Sequence, residues 1–182
     1  MAILNKQEFE SNARSKAGFR GLRGIVSENR AYTKSASVTS IFLSHSHHDK
    51  AIVEQAKIFF ENLGISIYVD WADQTMPERT NGITAQKIKN QIISINDKFV
   101  LLATNNAVAS KWCNWEVGIA DPFKLPNKKM AILPLAENNG TWNGNEYLQI
   151  YPRIEKSSIY SNSYNVIYPD GSIESILTWL RK

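Results

Sequence analysis

A glutamate stands in the middle of an aromatic stretch, Ser110-Lys111-Trp112-Cys113-Asn114-Trp115-Glu116-Val117-Gly118-Ile119-Ala120-Asp121. Ser110 reads as an N-cap and the residues after it as a helix. At about 100° per residue, Lys111, Asn114, Gly118 and Asp121 fall on one side. Trp112, Cys113, Trp115, Ile119 and Ala120 fall on the other. Glu116 lands inside the apolar arc, between Trp112 and Ala120. Burying even a neutral polar group without a partner costs roughly 2–7 kcal/mol, and a carboxylate costs more. Two readings fit: a carboxylate hydrogen-bonded to a neighbouring loop, or one facing a cleft where it meets a substrate.

The other reactive residue types are few. The three histidines are His45, His47 and His48. Their spacing does not match a zinc site, so no metal is expected. His47 and His48 read as surface residues of a first helical turn, with His45 pointing at a crevice. Cys113 lies in a first helical turn, where a thiolate is favoured, but a small packing residue is the better reading. No Gly-x-Gly-x-x-Gly and no Gly-rich loop ending in Lys-Ser/Thr is present, which disfavours Rossmann dinucleotide binding and P-loop hydrolysis.

Alternating strands and helices must position these residues. Ile41-Phe42-Leu43 is a short apolar strand. Ser46-His47-His48-Asp49 reads as a capping box, opening a helix that buries Ile52, Ala56, Phe59, Phe60 and Leu63 and stops at Gly64. Ile65 to Val69 is a second strand, and Asp70 to Gly82 a long irregular loop. A helix burying Ala85, Ile88, Ile92 and Ile95 leads to the apolar strand Phe99 to Ala103. The Trp/Glu helix follows, then a strand from Met130 to Leu135. Residues 136–163 read mainly as loop, Val166 to Tyr168 as an edge strand, and Ser172 to Lys182 as a closing helix burying Ile173, Ile176, Leu177 and Leu180. This pattern means an α/β fold with helices on both faces of a parallel sheet. Five strands suggest the flavodoxin-like order 2-1-3-4-5, with a ligand crevice beyond the carboxyl ends of strands 1 and 3. Ser44, His45 and Ser46 follow strand 1, and Asp70 and Trp71 follow strand 2. Glu116, near the second turn of the helix after strand 3, approaches the same edge. Phosphotransfer on an aspartate needs acids after strand 1, where Ser44-His45-Ser46 stand instead.

The chain of 182 residues is long enough for one compact domain and a modest extension. Its net charge of +4 lies in residues 1–39, which carry seven basic and three acidic residues. We divide the chain into a basic helical extension and linker, 1–37, broken near Gly18, Gly21 and Gly24, and a domain, 38–182. Aromatics are not interleaved with the basic residues, so nucleic-acid binding is not expected. One cysteine, no apolar run of membrane-spanning length and no signal-peptide core point to a cytoplasmic protein.

Together these stretches resemble a bacterial TIR (Toll/interleukin-1 receptor-like) domain over residues 38–182, of the kind found in Thoeris-type antiphage defence. The resemblance rests on Ile41-Phe42-Leu43-Ser44-His45-Ser46-His47-His48-Asp49, on Gly64-Ile65-Ser66-Ile67-Tyr68-Val69-Asp70-Trp71, on the Trp-x-x-x-Glu of Trp112 and Glu116, and on Ala131-Ile132-Leu133-Pro134. The N-terminal arm and the 136–163 insertion lie outside it. Many such domains cleave NAD⁺ between nicotinamide and ribose. The resemblance implies that Glu116 is the essential glutamate, that NAD⁺ is substrate rather than cofactor, and that Ser44, His45, Ser46 and His47 flank it. It places Asp70, Trp71, Asp73 and Glu78 on the adenine or diphosphate side, and Trp112 and Trp115 as walls. For Asp70 a turn-former is an equal reading, for Trp115 core packing, and for Ser44 a residue small enough for close backbone approach. The resemblance also implies self-association through TIR–TIR contacts, with a composite site, and a nucleotide signal to a separate effector.

The chemistry explains a lone carboxylate. Nicotinamide leaves a cationic pyridinium as a neutral base and needs no general acid. The remaining oxocarbenium-like ribosyl cation is stabilised by a nearby carboxylate, as in glycoside hydrolysis. Water as acceptor gives ADP-ribose, an internal nucleophile a cyclic isomer, and another molecule a conjugate. One competing reading is a non-catalytic TIR module that pairs through the Asp70–Gly82 loop. Another is a nucleoside deoxyribosyltransferase-like enzyme, which also sets a glutamate against a ribosyl centre. Glu116 beside Trp112 favours catalysis over a scaffold, and the His45-Ser46 box favours the TIR reading.

Overall fold

The structure is a computed structural model and describes residues 3–16, 38–73, 81–158 and 163–182. Along the chain run β1 (Leu4–Asn5), α1 (Lys6–Lys16), β2 (Ser40–Ser44), α2 (Lys50–Glu61), β3 (Ser66–Tyr68) and α3 (Gly82–Asn90). These are followed by β4 (Lys98–Ala103), α4 (Asn105–Ala109), α5 (Lys111–Lys124) and β5 (Met130–Ala136). Last come β6 (Arg153–Lys156), β7 (Tyr164–Ile167), β8 (Ile173–Ser175) and α6 (Ile176–Arg181).

The result is a mixed α/β fold around a central sheet. Strands β3, β2, β4 and β5 lie side by side and parallel. Their residues are almost all buried, because helices cover both faces. One core holds Phe9 of α1, Ile52, Phe59 and Phe60 of α2, and Trp179 of α6. The other holds Ile88 and Ile92 under α3 and Cys113, Val117 and Ala120 of α5. Gly64, at φ +78°, turns the chain from α2 into β3.

The sheet departs from the expected five strands. Among the described residues it has eight, and β6 lies in the stretch read as loop. There β6 pairs parallel with β5 at Ile132–Arg153 and antiparallel with β7. The strand expected at Val166–Tyr168 runs from Tyr164 to Ile167 and is not an edge, since β8 covers its far side. Residues 153–156, Arg-Ile-Glu-Lys, alternate polar and apolar too briefly to signal a strand. Their pairing comes from the neighbours that tertiary folding supplies. The closing helix is shorter than expected for the same reason. Ile173 belongs to β8 and is exposed, as is Leu177, while Trp179 takes the buried position.

The described residues of the N-terminal arm, 3–16, contact the sheet and α2. Leu4 and Asn5 pair with Leu135 and Ala136 of β5. Phe9 is buried 5.6 Å from the ring of Phe59. The expected break near Gly18, Gly21 and Gly24 lies outside the described residues, as do most of the linker after Thr33 and the loop residues 74–80 with Pro77 and Glu78.

Candidate active site

Ser44 is the last residue of β2, and α5 lies across β2, β4 and β5. Ser110 caps α5 by accepting the Cys113 N–H, as expected. The buried stripe of α5 is Cys113, Glu116, Val117, Ala120 and Lys124. On that stripe Glu116 sits at the flank nearest Trp112, and the helix brings it over the end of β2. There the Ser44 hydroxyl donates to Glu116 Oε2 at 2.5 Å. Both residues are buried, Glu116 to 3% exposure. Desolvation is the main reason its carboxyl titrates far above the ordinary range, pushed up to about 8. The negative charge of Asp70 adds to this, while Ser44 and the Trp112 side chain oppose it as hydrogen-bond partners.

A cavity of about 300 Å³ is lined by His45, His47, Asp70, Ser110 and Trp112, and Glu116 itself is not part of that lining. Trp112 belongs to both, lining the cavity and bonding toward Glu116. His45 is held from two sides. Its Nδ1 lies 2.9 Å from the Leu43 carbonyl oxygen, which only accepts, and its Nε2 lies 3.5 Å from Asp70 Oδ1. Four predicted residues thus meet around one space, and Ser110 joins them.

The others lie elsewhere. Ser46 is buried and accepts the His48 N–H at the start of the turn His47–Asp49. Trp71 is exposed, with Lys50 Nζ 5.2 Å from its ring centre. Asp73 accepts from the Tyr68 hydroxyl at 2.8 Å. Trp115, expected on the apolar side, is exposed at 37% and leans on Trp112 with ring centres 5.0 Å apart. It lies opposite the Cys113–Val117–Ala120 stripe, so the sheet turns it outward. Cys113 is buried, and desolvation pushes its thiol up to about 12, which makes it a packing residue.

The stretch from Ile41 to Asp49 holds one residue whose role differs from the expected one. Asp49 does not complete a capping box with Ser46. It is buried and makes no cap bond to α2. Its Oδ2 accepts a very short hydrogen bond from the Thr104 hydroxyl, and its Oδ1 accepts from Asn106 Nδ2 at 2.8 Å. These partners lie 55 and 57 residues away, so no local pattern could reveal them. Among the described residues no cluster of three or more His, Cys, Asp or Glu is arranged to hold a metal ion. Nor is any helix among them long and apolar enough to cross a membrane.

The fold and this site define a TIR domain, and the TIR-domain family profile matches residues 41–156. The chain belongs to that family. It is 31% identical over 152 residues to a Bacillus cereus (strain MSX-D12) protein described as a probable 3′ cyclic ADP-D-ribose synthase, ThsB′. That match covers 80% of this chain and 77% of the relative. It is also 29% identical over 99 residues to a Cytobacillus dafuensis protein described as a candidate cyclic ADP-D-ribose synthase, TIR2. There the match covers 53% of this chain and 25% of the relative.

Proposed function

We propose that this chain cleaves the nicotinamide–ribose bond of NAD⁺ and releases a cyclic ADP-ribose as a signal in Thoeris-type antiphage defence. The observation that carries this is Glu116: a buried carboxyl with no arginine or lysine, among the described residues, as hydrogen-bond or salt-bridge partner, joined through its neighbour Trp112 to a cavity. Burial holds this carboxyl protonated near neutrality, poised to ionise when a cation enters beside it.

The cavity suits part of a dinucleotide, and Trp112 joins its lining to Glu116. As the cationic nicotinamide ring arrives, it favours ionisation of Glu116. The C–N bond then breaks with its electron pair going to the pyridine nitrogen. Nicotinamide leaves neutral, and the carboxylate faces the ribosyl cation. Such preorganised charge contributes roughly 3–4 kcal/mol to barrier lowering. A hydroxyl of the adenosine half then attacks the ribosyl carbon and passes its proton to the Glu116 carboxylate, which closes the cyclic product and restores the neutral carboxyl. His45 and Asp70 hold the ribose or diphosphate side, with His47 at the rim. Ser44 holds Glu116. Ser46, Trp71, Asp73 and Trp115 support the surrounding loops.

In this reading residues 38–182 are the TIR unit, with a flavodoxin-like parallel half, and the arm packs onto it. NAD⁺ is the only small molecule required, and the chain works in the cytoplasm. Self-association completes the site, and the product reaches a separate effector.

The test is incubation with NAD⁺ over a range of protein concentrations, with products identified by mass. The wild type releases nicotinamide and a cyclic ADP-ribose, and Glu116→Ala, still folded, releases neither. A wild type no faster than Glu116→Ala at every concentration overturns the proposal.

A further inference from the structure

The cavity has two walls from different parts of the chain. His45 and His47 follow β2. Ser110 and Trp112 follow β4, through the short helix α4. The described polar tie between the starts of these two segments is Asp49. Its two carboxylate oxygens take separate partners, Thr104 through Oδ2 and Asn106 through Oδ1. Thr104 is itself the N-cap of α4, its oxygen accepting the Ala107 N–H at 3.1 Å. Asp49, Thr104 and Ala107 are all buried, so water does not compete for the Asp49–Thr104 and Thr104–Ala107 bonds, whereas Asn106 is exposed. The carboxylate therefore fixes where α4 begins, and Ser110 follows directly on the end of α4.

We infer that Asp49 is a positioning residue for NAD⁺ binding, holding the His45–His47 wall at a set distance from the Ser110–Trp112 wall. This rests on the function proposed above. The tie does not include the Ser44–Glu116 bond, so its loss changes binding more than the state of the reacting carboxyl. Asp49→Asn is the sharpest perturbation. An amide offers one acceptor where the carboxylate offers two. With its one oxygen on Thr104, the amide turns an N–H₂ toward Asn106, which keeps a bond only by turning its own amide over, and both bonds lose the carboxylate's charge. In the double variant Asp49→Asn/Asn106→Asp the pair is exchanged. The amide now at position 49 donates to the carboxylate now at position 106, and its carbonyl oxygen still accepts from Thr104.

The experiment measures nicotinamide release against NAD⁺ concentration, with hydrogen exchange of residues 44–48 and 104–110 in the same proteins. Asp49→Asn is expected to raise KM about tenfold, within the range that misplaced binding groups produce. It leaves kcat within about twofold and leaves the acid limb of the kcat/KM–pH profile in place. Exchange speeds up in both segments, and the double variant restores both readouts. A folded Asp49→Asn with wild-type KM and exchange overturns the inference, as does a double variant that stays impaired. Asn106→Ala removes only one bond, at an exposed residue, and covers the case in which Asp49→Asn does not fold. It should raise KM by a smaller factor and speed exchange, and wild-type values for both overturn the inference. If the wild type releases no nicotinamide, the NAD⁺ reading fails, and exchange alone judges the tie.

Discussion

Glu116 should leave a signature in stability as well as in activity. Its carboxyl titrates at about 8 in the folded chain against 4.5 when free in solution. Between those values the folded chain keeps a proton that the unfolded chain has released. Stability contributed by this group is therefore full below pH 4.5 and falls as pH rises, by about 1.4 kcal/mol per pH unit. Across the window the loss is on the order of 5 kcal/mol, and above pH 8 it grows no further. Glu116→Gln removes the titration while keeping the acceptor for the Ser44 hydroxyl. Its new N–H₂ adds a pH-independent offset, so the slope rather than the absolute difference is informative. Urea unfolding of both proteins at pH 5, 6, 7, 8 and 9 gives that slope. The stability of the wild type minus that of Glu116→Gln should fall steadily from pH 5 to about 8 and then level off. Parallel curves would refute the reasoning, because they would mean that Glu116 is ionised in the fold throughout. The same titration sets activity: kcat/KM for nicotinamide release should rise with pH through about 8.

Ser44→Ala removes a bond that favours the ionised form of Glu116. A hydrogen bond to a charged group contributes roughly 1.5–3 kcal/mol, so activity at pH 7 should fall about ten- to a hundredfold, and at pH 9.5 distinctly less. A profile that drops evenly at all pH values would count against it. Cys113, with its thiol pushed up to about 12 by burial, should resist iodoacetamide at pH 8 in the native chain. Intact mass should show a single adduct only after denaturation.

The site was legible where its signal was local. Ser110 as cap and Glu116 among apolar neighbours follow from spacing along one helix. The residues after Leu43 and Val69 follow from the ends of apolar strands. Trp115 was misjudged because a helix with apolar residues around most of its circumference does not say which side meets the sheet. The strand Arg153–Lys156 was missed because four mixed residues gain strand character only from partners.

Side-chain chemistry and periodicity along the chain determined that an α/β sheet carries a carboxylate at one edge beside an indole, since hydrophobic spacing is a property of consecutive residues. Tertiary structure alone decided that this carboxylate meets Ser44, with no arginine or lysine of the described residues bonded to it. It also decided that Asp49 joins two loops rather than capping a helix. Both outcomes depend on contacts across more than fifty residues, and these exist only once the sheet has closed and water has left the space between strand ends.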